Sequence, residues 1–444
     1  MELDPDLVEQ FSNLMVSTRP ISAEELARFD ENAPLRQRNE IEHPSYKTIP
    51  KFFEAPLPRG DTIRQNLRKE AHSLYLQQRS QELLDSNELD ELWSMLVKHV
   101  TQMTATGQQL IDFDAYLQLQ GAVNAKIRNY LTARLFGTLL VLSTHPGGMV
   151  DIVSVFNYIM RKVWLKQARI GLSFYDEMGR GYLRETDLES YIIDLIPNMA
   201  QIRDCMQPSF QSFYVCTVLK RFFFFLDAQH RGRIRIRAML ESGMVTDLLD
   251  LREEGDPEDP QDKNCFSMPA VLAVYRNYLS LDKDHNGMLS QKELADYGSG
   301  TLTTIFLKRV FEECRTYQGE MDYKTYLDFD MAMNNRRKYY PKSPQALQYL
   351  FRILDVDHKG YLTVQTLQFF FKGIQEAFKS HNEVPVNFED INNEIFDMVK
   401  PKDPCKITLQ DLIKSGKAET VVSILIEFHK FWAYENREEN PQNV

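Results

Sequence analysis

Apolar residues recur at helical spacing along most of the chain. One stripe, at i, i+3, i+4, i+7 and i+8, is Val271, Val274, Tyr275, Tyr278 and Leu279. An earlier one is Ile63, Leu67, Ala71 and Leu74. A further predicted helix has Asn87 as its cap and an inner face of Leu89, Leu92, Trp93 and Leu96. The pattern predicts an all-α protein.

One predicted helix contains four consecutive phenylalanines, within Arg221 to Leu226. Four successive side chains on a helix point in several directions, so this helix is expected to be buried on most sides. The alternative is an interaction hot spot on the surface. Late in the chain, Asn387 with Asp390 predicts a capped helix that runs to Val399.

A short segment recurs between the helices, in which one apolar residue is flanked by turn-forming and polar residues. These apolar residues are Ile111, Val150, Leu183, Ile234, Leu289, Met321, Leu362 and Ile407. Six of them have a glycine two residues earlier: Gly148, Gly181, Gly232, Gly287, Gly319 and Gly360. The repeat is typical of EF-hands, most of which have lost their ion. The matches around Ile111, Val150 and Ile407 are the weakest, and chance similarity is the alternative there.

The loop from Asp282 to Glu293 reads DKDHNGMLSQKE and keeps the complete calcium pattern. Calcium takes six to eight oxygen ligands, which an EF-hand loop supplies from positions 1, 3, 5, 7, 9 and 12, with glycine at 6. The predicted ligands are Asp282, Asp284, Asn286, the carbonyl of Met288, Ser290 and Glu293. The alternative is a solvated acidic turn between two helices. Gly298 to Gly300 is expected to end the exit helix early.

The other loops lack ligands that calcium requires. The loop from Asp355, DVDHKGYLTVQT, has Lys359 at position 5 and Thr366 at position 12, which leaves ion binding there open. Three further loops are incompatible with a cation: the one from Asp176 with Met178 and Arg180, the one from Asp227 with Arg231 and Ala238, and the one from Cys314 with Thr325.

Proline content and charge divide the chain. Residues 1–60 are predicted to be irregular, residues 61–250 to form a helical domain, and residues 251–267 an acidic linker. An EF-hand domain is predicted over 268–434, with the calcium hand at about 270–300 and a degenerate hand at about 343–378, followed by a frayed tail, 435–444. The segment Tyr46 to Phe53 either packs on its own domain or docks on a partner.

Composition narrows the class of protein. A chain of 444 residues that is 43% hydrophobic can bury a substantial core, and a net charge of −11 argues against a nucleic-acid binder. Five widely spaced cysteines predict reduced, buried thiols in the cytosol or nucleus, and no signal peptide or membrane span is expected. No catalytic motif occurs, so no catalytic residue and no enzymatic activity are predicted.

Several strings resemble the B-double-prime regulatory subunits of protein phosphatase 2A, most closely the gamma branch with its plant TONNEAU-type members. They are YIMRKVWLKQARIGLS (158–173), GYLRETDLESYI (181–192), RFFFFLD (221–227), LDKDHNGMLS (281–290), MDYKTYLDF (321–329), EIFDMVKPKDP (394–404), YENRE (434–438) and TIPKFF (48–53). The resemblance implies an elongated array of paired EF-hand-like units in two subdomains, after an irregular N-terminal segment.

The resemblance also implies a non-catalytic subunit that bridges the phosphatase scaffold and catalytic subunits and directs serine/threonine dephosphorylation. It implies calcium as the bound ion, centrosomal or cytoskeletal partners, a cytoplasmic and nuclear location, and a role in microtubule organisation and cell division. The alternative is a free EF-hand sensor or adaptor without phosphatase. Such a sensor exposes a methionine-rich groove, for which Met321, Met331 and Met333 are the nearest candidates.

Overall fold

A computed structural model of the protein describes residues 62–104, 107–143, 147–253, 264–334, 344–380 and 386–437. The predictions for residues 1–60, including Tyr46 to Phe53, and for 438–444 lie outside the described residues, as does most of the predicted acidic linker. The described residues from Gln65 onward form a single unit. The predicted domain bounds stay a prediction.

The first half of the described chain consists of helices joined by short loops and very short strands, as the all-α prediction requires. The elements are α1 (Thr62–Gln81), α2 (Ser86–Lys98), β1 (Gln102–Met103), β2 (Gln109–Ile111), α3 (Phe113–Ala122), α4 (Ala125–Arg128), α5 (Ala133–Leu142), β3 (Val150–Asp151), α6 (Ile152–Ser173), β4 (Tyr182–Arg184), α7 (Glu185–Leu195), α8 (Ala200–Arg203), α9 (Gln211–Leu226), β5 (Arg233–Arg235), α10 (Ile236–Glu241) and α11 (Met244–Asp250).

The second half continues in the same way. Its elements are α12 (Met268–Leu281), α13 (Gln291–Leu294), α14 (Thr304–Glu313), α15 (Tyr323–Asn334), α16 (Pro344–Leu354), β6 (Tyr361–Leu362), α17 (Val364–Ser380), α18 (Phe388–Val399), β7 (Ile407–Thr408), α19 (Leu409–Ser415), α20 (Ala418–Ile426) and α21 (Phe428–Glu435). Short 3-10 turns occupy Ile196–Asn198, Pro208–Phe210 and Tyr297–Ser299.

The eight recurring apolar residues pair two by two, which confirms the repeat. Ile111 faces Val150, Leu183 faces Ile234, Leu289 faces Met321 and Leu362 faces Ile407, each across an antiparallel contact. All eight side chains are buried. The weakest sequence matches, at Ile111, Val150 and Ile407, therefore belong to real pairs. The four pairs show why hands occur in twos, since each loop supplies the other with a strand partner and a buried contact.

The preceding glycines adopt the conformation that the loop requires. All six have positive φ, between 66° at Gly232 and 88° at Gly319. A side chain in this left-handed region is strained, and glycine avoids the strain because it has no Cβ. A glycine two residues before the pairing residue is thus a structural signal of the loop, whether or not the loop holds an ion.

The phenylalanine-rich helix α9 is buried on several sides, as predicted. Phe222 packs in the core that spans residues 168–271, whereas Phe224 belongs to the core formed by the later hands. The hydroxyls of Thr217 in α9 and Tyr323 in α15 lie 2.9 Å apart in the interior, and Lys220 pairs with Asp328 of α15 at 2.8 Å. Helix α9 therefore contributes side chains to both cores and joins them.

The cap of the second helix was predicted wrongly, and the apolar stripe of the first helix does not mark a buried face. The N-cap of α2 is Asp85, not Asn87, and its carboxylate forms a capping box with Glu88. The stripe on α1 does form a helix, but Ile63, Leu67 and Leu74 are 68%, 66% and 57% exposed. Spacing along a helix shows which residues share a face, but it does not show that this face meets a partner.

The cysteine prediction is only partly correct. All five cysteines are free, as expected of a chain without a disulfide framework. Cys265 is buried and Cys216 and Cys314 are half-buried, but Cys205 and Cys405 are exposed, contrary to the prediction of buried thiols. Within the described residues, every helix is too short or too polar to cross a membrane.

Candidate metal centre

The candidate calcium loop connects α12 with the very short helix α13. Ser267 caps α12 by accepting a hydrogen bond from the amide of Ala270. Ser290 caps α13, and Ser290 and Glu293 form a reciprocal capping box, in which each side chain accepts from the other residue's amide. The left-handed residues Gly298 and Gly300 then turn the chain, so the early end predicted for the exit helix is confirmed.

Three of the predicted ligands come together in space. Carboxylate oxygens of Asp282, Asp284 and Glu293 lie within 4.8 Å of one another. Asp282 and Glu293 are buried, whereas Asp284 is exposed. Three carboxylates at this distance repel each other unless a cation lies between them. The arrangement therefore has the charge and the hard oxygen donors that calcium prefers.

Asp282, at position 1, also holds the loop backbone. Its carboxylate accepts hydrogen bonds from the amides of Asn286 at 3.2 Å and Gly287 at 3.0 Å. The aspartates at the same position of three other loops, Asp176, Asp227 and Asp355, likewise accept from the amide of the position-6 glycine. This shared bond gives the position-1 aspartate a structural role in loops that lack part of the calcium pattern.

Glu293, at position 12, is held by amides from both ends of the loop. One oxygen accepts from the amide of Lys283 at 2.9 Å, and the other accepts from the amide and the hydroxyl of Ser290 at 2.9 and 2.7 Å. Burial raises the pKa of this carboxyl, but the hydrogen bonds outweigh it and leave the pKa below its usual value. Glu293 is therefore charged and positioned before any ion arrives.

The remaining predicted ligands line the same loop. Asn286 donates from its amide nitrogen to Asp284 at 3.1 Å, and its Oδ1 accepts from the amide of Met288 at 2.7 Å. The Ser290 hydroxyl contacts the carboxylate of Glu293. The ligand assignment of all six residues, Asp282, Asp284, Asn286, Met288, Ser290 and Glu293, stays a prediction, and the geometry of their loop suits it.

Two residues near the site were missed by the sequence reasoning. Glu320 of the facing loop accepts from the Asn286 amide nitrogen at 3.3 Å. Tyr278, which the sequence places only in an apolar stripe, donates its hydroxyl to the carbonyl of Gly287 at 2.6 Å. Burial raises the pKa of the Tyr278 phenol, so it stays protonated and remains a donor. Glu320 holds position 7 of its loop, directly before the pairing residue Met321. Once the pairing of the two loops is known, this position predicts that Glu320 lies near the candidate calcium loop.

The Asp355 loop contains a positively charged lysine side chain among its ligand positions. The ammonium of Lys359 lies 2.8 Å from the carboxylate of Asp357, at positions 5 and 3 of the loop. At positions 9 and 12, where the calcium loop has Ser290 and Glu293, the hydroxyls of Thr363 and Thr366 contact each other at 3.2 Å. A lysine charge thus pairs with the carboxylate at position 3 of this loop, and a carboxylate is missing at position 12.

The methionines near the calcium hand are buried. Met321 is 0%, Met331 7% and Met333 8% exposed. In this conformation they form part of the core and do not line an open groove. A sensor groove of the kind that binds a target helix would have to come from a different arrangement of these helices.

Comparison with protein families identifies residues 168–254 as an EF-hand domain. That match covers the loops from Asp176 and Asp227, which lack calcium ligands, and ends before the loop from Asp282. It supports the interpretation of these segments as hands that kept their fold after losing the ion.

Several curated proteins are similar to the chain over most of its length. The gamma-type B'' regulatory subunit of serine/threonine-protein phosphatase 2A from Danio rerio is 51% identical over 89% of this chain and 85% of its own length. The Homo sapiens protein of the same name is 51% identical, and the match covers 88% of this chain and 85% of that protein. A probable B'' regulatory subunit of protein phosphatase 2A from Arabidopsis thaliana, TON2, is 35% identical, and the match covers 88% of this chain and 82% of that protein.

Among solved structures, a chain of a PP2A PR70 holoenzyme is similar in fold. It superposes with a TM-score of 0.50 at 27% sequence identity, and the match covers 57% of this chain and 92% of that chain.

Proposed function

The chain belongs to the B'' family of serine/threonine-protein phosphatase 2A regulatory subunits, and on that premise we propose that it joins the phosphatase scaffold and catalytic subunits as a calcium-binding component. It is a regulatory subunit and not an enzyme, and it would direct the catalytic subunit toward phosphoserine and phosphothreonine substrates. The observation that carries the proposal is the similarity of the chain to B'' regulatory subunits of protein phosphatase 2A over most of their length.

The proposed ion binds at the loop from Asp282 to Glu293. Asp282, Asp284 and Glu293 supply the charge, and Asn286, Met288 and Ser290 supply further oxygens. When bound, calcium neutralises these carboxylates and links the two ends of the loop through the position-12 glutamate. Because the loop is already organised by its own hydrogen bonds, the ion is proposed to stabilise an existing arrangement.

The proposal is tested by assembling the full chain with purified scaffold and catalytic subunits, in calcium and in chelator, and measuring the complex by size-exclusion chromatography. A ternary complex in both conditions supports a constitutive subunit with a structural ion. A complex in calcium alone makes the Asp282 loop a switch. Failure to assemble in either condition overturns the proposal and favours a free sensor or adaptor.

Two variants sharpen this test. Glu293→Gln removes a charge from the candidate site, whereas Thr366→Ala changes the same position of a loop that lacks the calcium pattern. If the ion contributes to assembly, Glu293→Gln in calcium should behave like the unmodified chain in chelator. Thr366→Ala should behave like the unmodified chain in both conditions.

We further propose a cytoplasmic and nuclear subunit with a role at centrosomes and in microtubule organisation during cell division. The support is the resemblance of the chain to the gamma and TONNEAU-type branch. Imaging of the tagged chain beside a centrosome marker in dividing cells tests this. A diffuse signal at every stage of division would overturn the centrosomal part.

A further inference from the structure

The second EF-hand pair has an arginine-rich outer surface. Strands β4 and β5 place Leu183 opposite Ile234, and both side chains are buried. Because side chains alternate along a strand, the neighbours of this pair point the other way. These neighbours are Tyr182, Arg184, Arg233 and Arg235. The three arginines are exposed, as are Arg180 and Arg231 just before the strands. We call Arg180, Arg184, Arg231, Arg233 and Arg235 the arginine face.

The arginines repeat with the symmetry of the loop pair. Counted from Asp176, Arg180 and Arg184 hold positions 5 and 9, and counted from Asp227, Arg231 and Arg235 hold the same two positions. In the calcium loop those positions carry the oxygen donors Asn286 and Ser290. The described loops of the other pairs have no arginine at position 5 or 9. The second pair therefore places cations where a working hand places ligands for a cation.

Folding alone does not account for this concentration of charge. Arg184 lies directly opposite Arg233 across the strands, and like charges facing each other destabilise a strand pair. Arg184 is compensated by Asp187, at 3.1 Å. Within the described residues, Arg180, Arg231, Arg233 and Arg235 form no ion pair with a carboxylate. The buried Asp176 and Asp227 are already bonded to backbone amides.

Tyr182 orders part of the face. Its hydroxyl accepts a hydrogen bond from Arg180 at 3.1 Å, and the guanidinium of Arg233 lies 4.7 Å from the centre of its ring. A guanidinium is planar and can bind a carboxylate through two parallel hydrogen bonds. Groups that are ordered before binding lose less entropy when a ligand arrives. The face thus combines positive charge with partly fixed donor directions.

From this arrangement we propose that the arginine face is a docking surface for an acidic segment of a partner protein, rich in aspartate and glutamate. The whole chain carries a net charge of −11, so a local positive surface orients an approaching acidic segment toward this one region. This interaction does not depend on the assembly with phosphatase subunits proposed above.

The test uses the full chain and a fluorescein-labelled peptide of ten glutamates, with a ten-glutamine peptide as the uncharged probe. Binding is followed by fluorescence anisotropy at low salt and again as salt is raised. We expect the glutamate peptide to bind, the glutamine peptide to bind far more weakly, and salt to weaken binding of the first. No binding of the glutamate peptide at low salt overturns the proposal.

The decisive variant is Arg231→Gln, Arg233→Gln and Arg235→Gln combined. The matched control replaces three exposed helical arginines, Arg134, Arg161 and Arg169, with glutamine, and so removes the same charge elsewhere. We expect the first variant to weaken peptide binding by roughly 3- to 100-fold, from the usual contribution of three exposed ion pairs, and the control by less than about twofold. If both variants weaken peptide binding equally, the loss of affinity follows from the change in net charge alone, and the proposal is overturned.

A second variant shows whether the triple variant loses binding only because it is misfolded. A second polyanion shows whether the arginine face prefers a nucleic acid to an acidic peptide. The double variant Arg231→Gln and Arg235→Gln keeps the Arg233 contact with Tyr182, so it preserves the local packing if the triple variant unfolds, and it should still weaken binding. The second polyanion is a ten-nucleotide single-stranded DNA. Tighter binding of the DNA than of the glutamate peptide, lost in the same variants, would overturn the acidic protein partner in favour of a nucleic acid.

Discussion

Leu289 and Met321 exchange two backbone hydrogen bonds, each 2.8 Å from nitrogen to oxygen. Leu289 lies in the candidate calcium loop, whereas Met321 lies in a facing loop without carboxylates at positions 1, 3 and 5. The contact joins the candidate site to α15, which packs against α9. The candidate calcium loop is thus connected, through its partner loop and α15, to the helix that contributes to both cores of the molecule.

Substitution of Glu293 is expected to separate ion binding from loop stability. Glu293→Gln removes the charge and keeps one oxygen that can accept the hydrogen bond of the capping box, so calcium affinity should fall strongly, while the ion-free protein loses the hydrogen bond that the other oxygen accepts from the amide of Lys283. Glu293→Ala also removes the box and should lower the free energy of unfolding by about 1 kcal/mol more. Calorimetric titration with calcium and urea unfolding in chelator measure the two effects.

Thr366→Ala is the control for both Glu293 variants, since it changes position 12 of the Asp355 loop. It should leave the calcium isotherm unchanged. An isotherm of Glu293→Ala that matches the unmodified chain would contradict the ligand assignment.

The Asp355 loop is expected to gain an ion when its two defects are repaired together. Lys359→Asn removes the ammonium that pairs with Asp357, and Thr366→Glu supplies the missing carboxylate, which completes the calcium pattern. The number of calcium ions bound per chain, measured by calorimetry, should rise by one. Lys359→Asn alone should not raise it, and an unchanged number in the double variant would show that the loop geometry itself prevents binding.

The buried contact between Thr217 and Tyr323 is expected to stabilise the junction of α9 and α15. Thr217 donates its single hydroxyl hydrogen to the carbonyl of Phe213 at 2.8 Å, so Tyr323 must donate to Thr217. Thr217→Val leaves the Tyr323 hydroxyl without this acceptor and should cost about 1–3 kcal/mol of unfolding free energy.

A double-mutant cycle tests this contact. Adding Tyr323→Phe to Thr217→Val removes the unpaired hydroxyl, so the double variant should be more stable than the sum of the single effects predicts. Urea unfolding of the four proteins gives the coupling energy. Strict additivity would mean that the two hydroxyls do not interact in solution.

Asp330 is expected to make stability depend on pH. Burial raises the pKa of this carboxyl to about 6, although hydrogen bonds from Tyr297, Tyr326 and Asn334 act in the opposite direction. Between about pH 4 and pH 6 the folded protein keeps a proton that the unfolded chain releases. The stability contributed by this group is therefore lost as pH rises through that window, by roughly 3 kcal/mol.

Asp330→Asn should remove this pH dependence, because an amide does not titrate. Urea unfolding at intervals from pH 4 to pH 7 compares the variant with the unmodified chain, and the exposed Asp114→Asn serves as the control. Parallel pH profiles for the unmodified chain and Asp330→Asn would contradict the assignment.

The loops were the most predictable part of the molecule. An EF-hand loop closes within twelve residues, so its glycine, its pairing residue and its ligands stand at fixed spacing in the sequence. For this reason Leu289 and Gly287 could be assigned without coordinates, and so could the loss of ligands at Arg180, Lys359 and Thr366.

The environment of each helix face was less predictable. Leu92 and Leu96 are buried as predicted, but Trp93, predicted on the same inner face, is exposed, as are Ile63 and Leu67 of the earlier stripe. Asp85 forms the cap that Asn87 was expected to form, because both residue types can cap a helix and the sequence does not choose between neighbours.

The sequence by itself determined the helical class, the registers of the clearest loops and the one complete calcium pattern, because these follow from contacts between residues close in the chain. Only the tertiary structure decided which loops face each other, that α9 joins two cores, and that Arg184 and Arg233 stand side by side in one exposed face. Such contacts join segments far apart in the chain, and they depend on how the whole set of apolar faces is buried together.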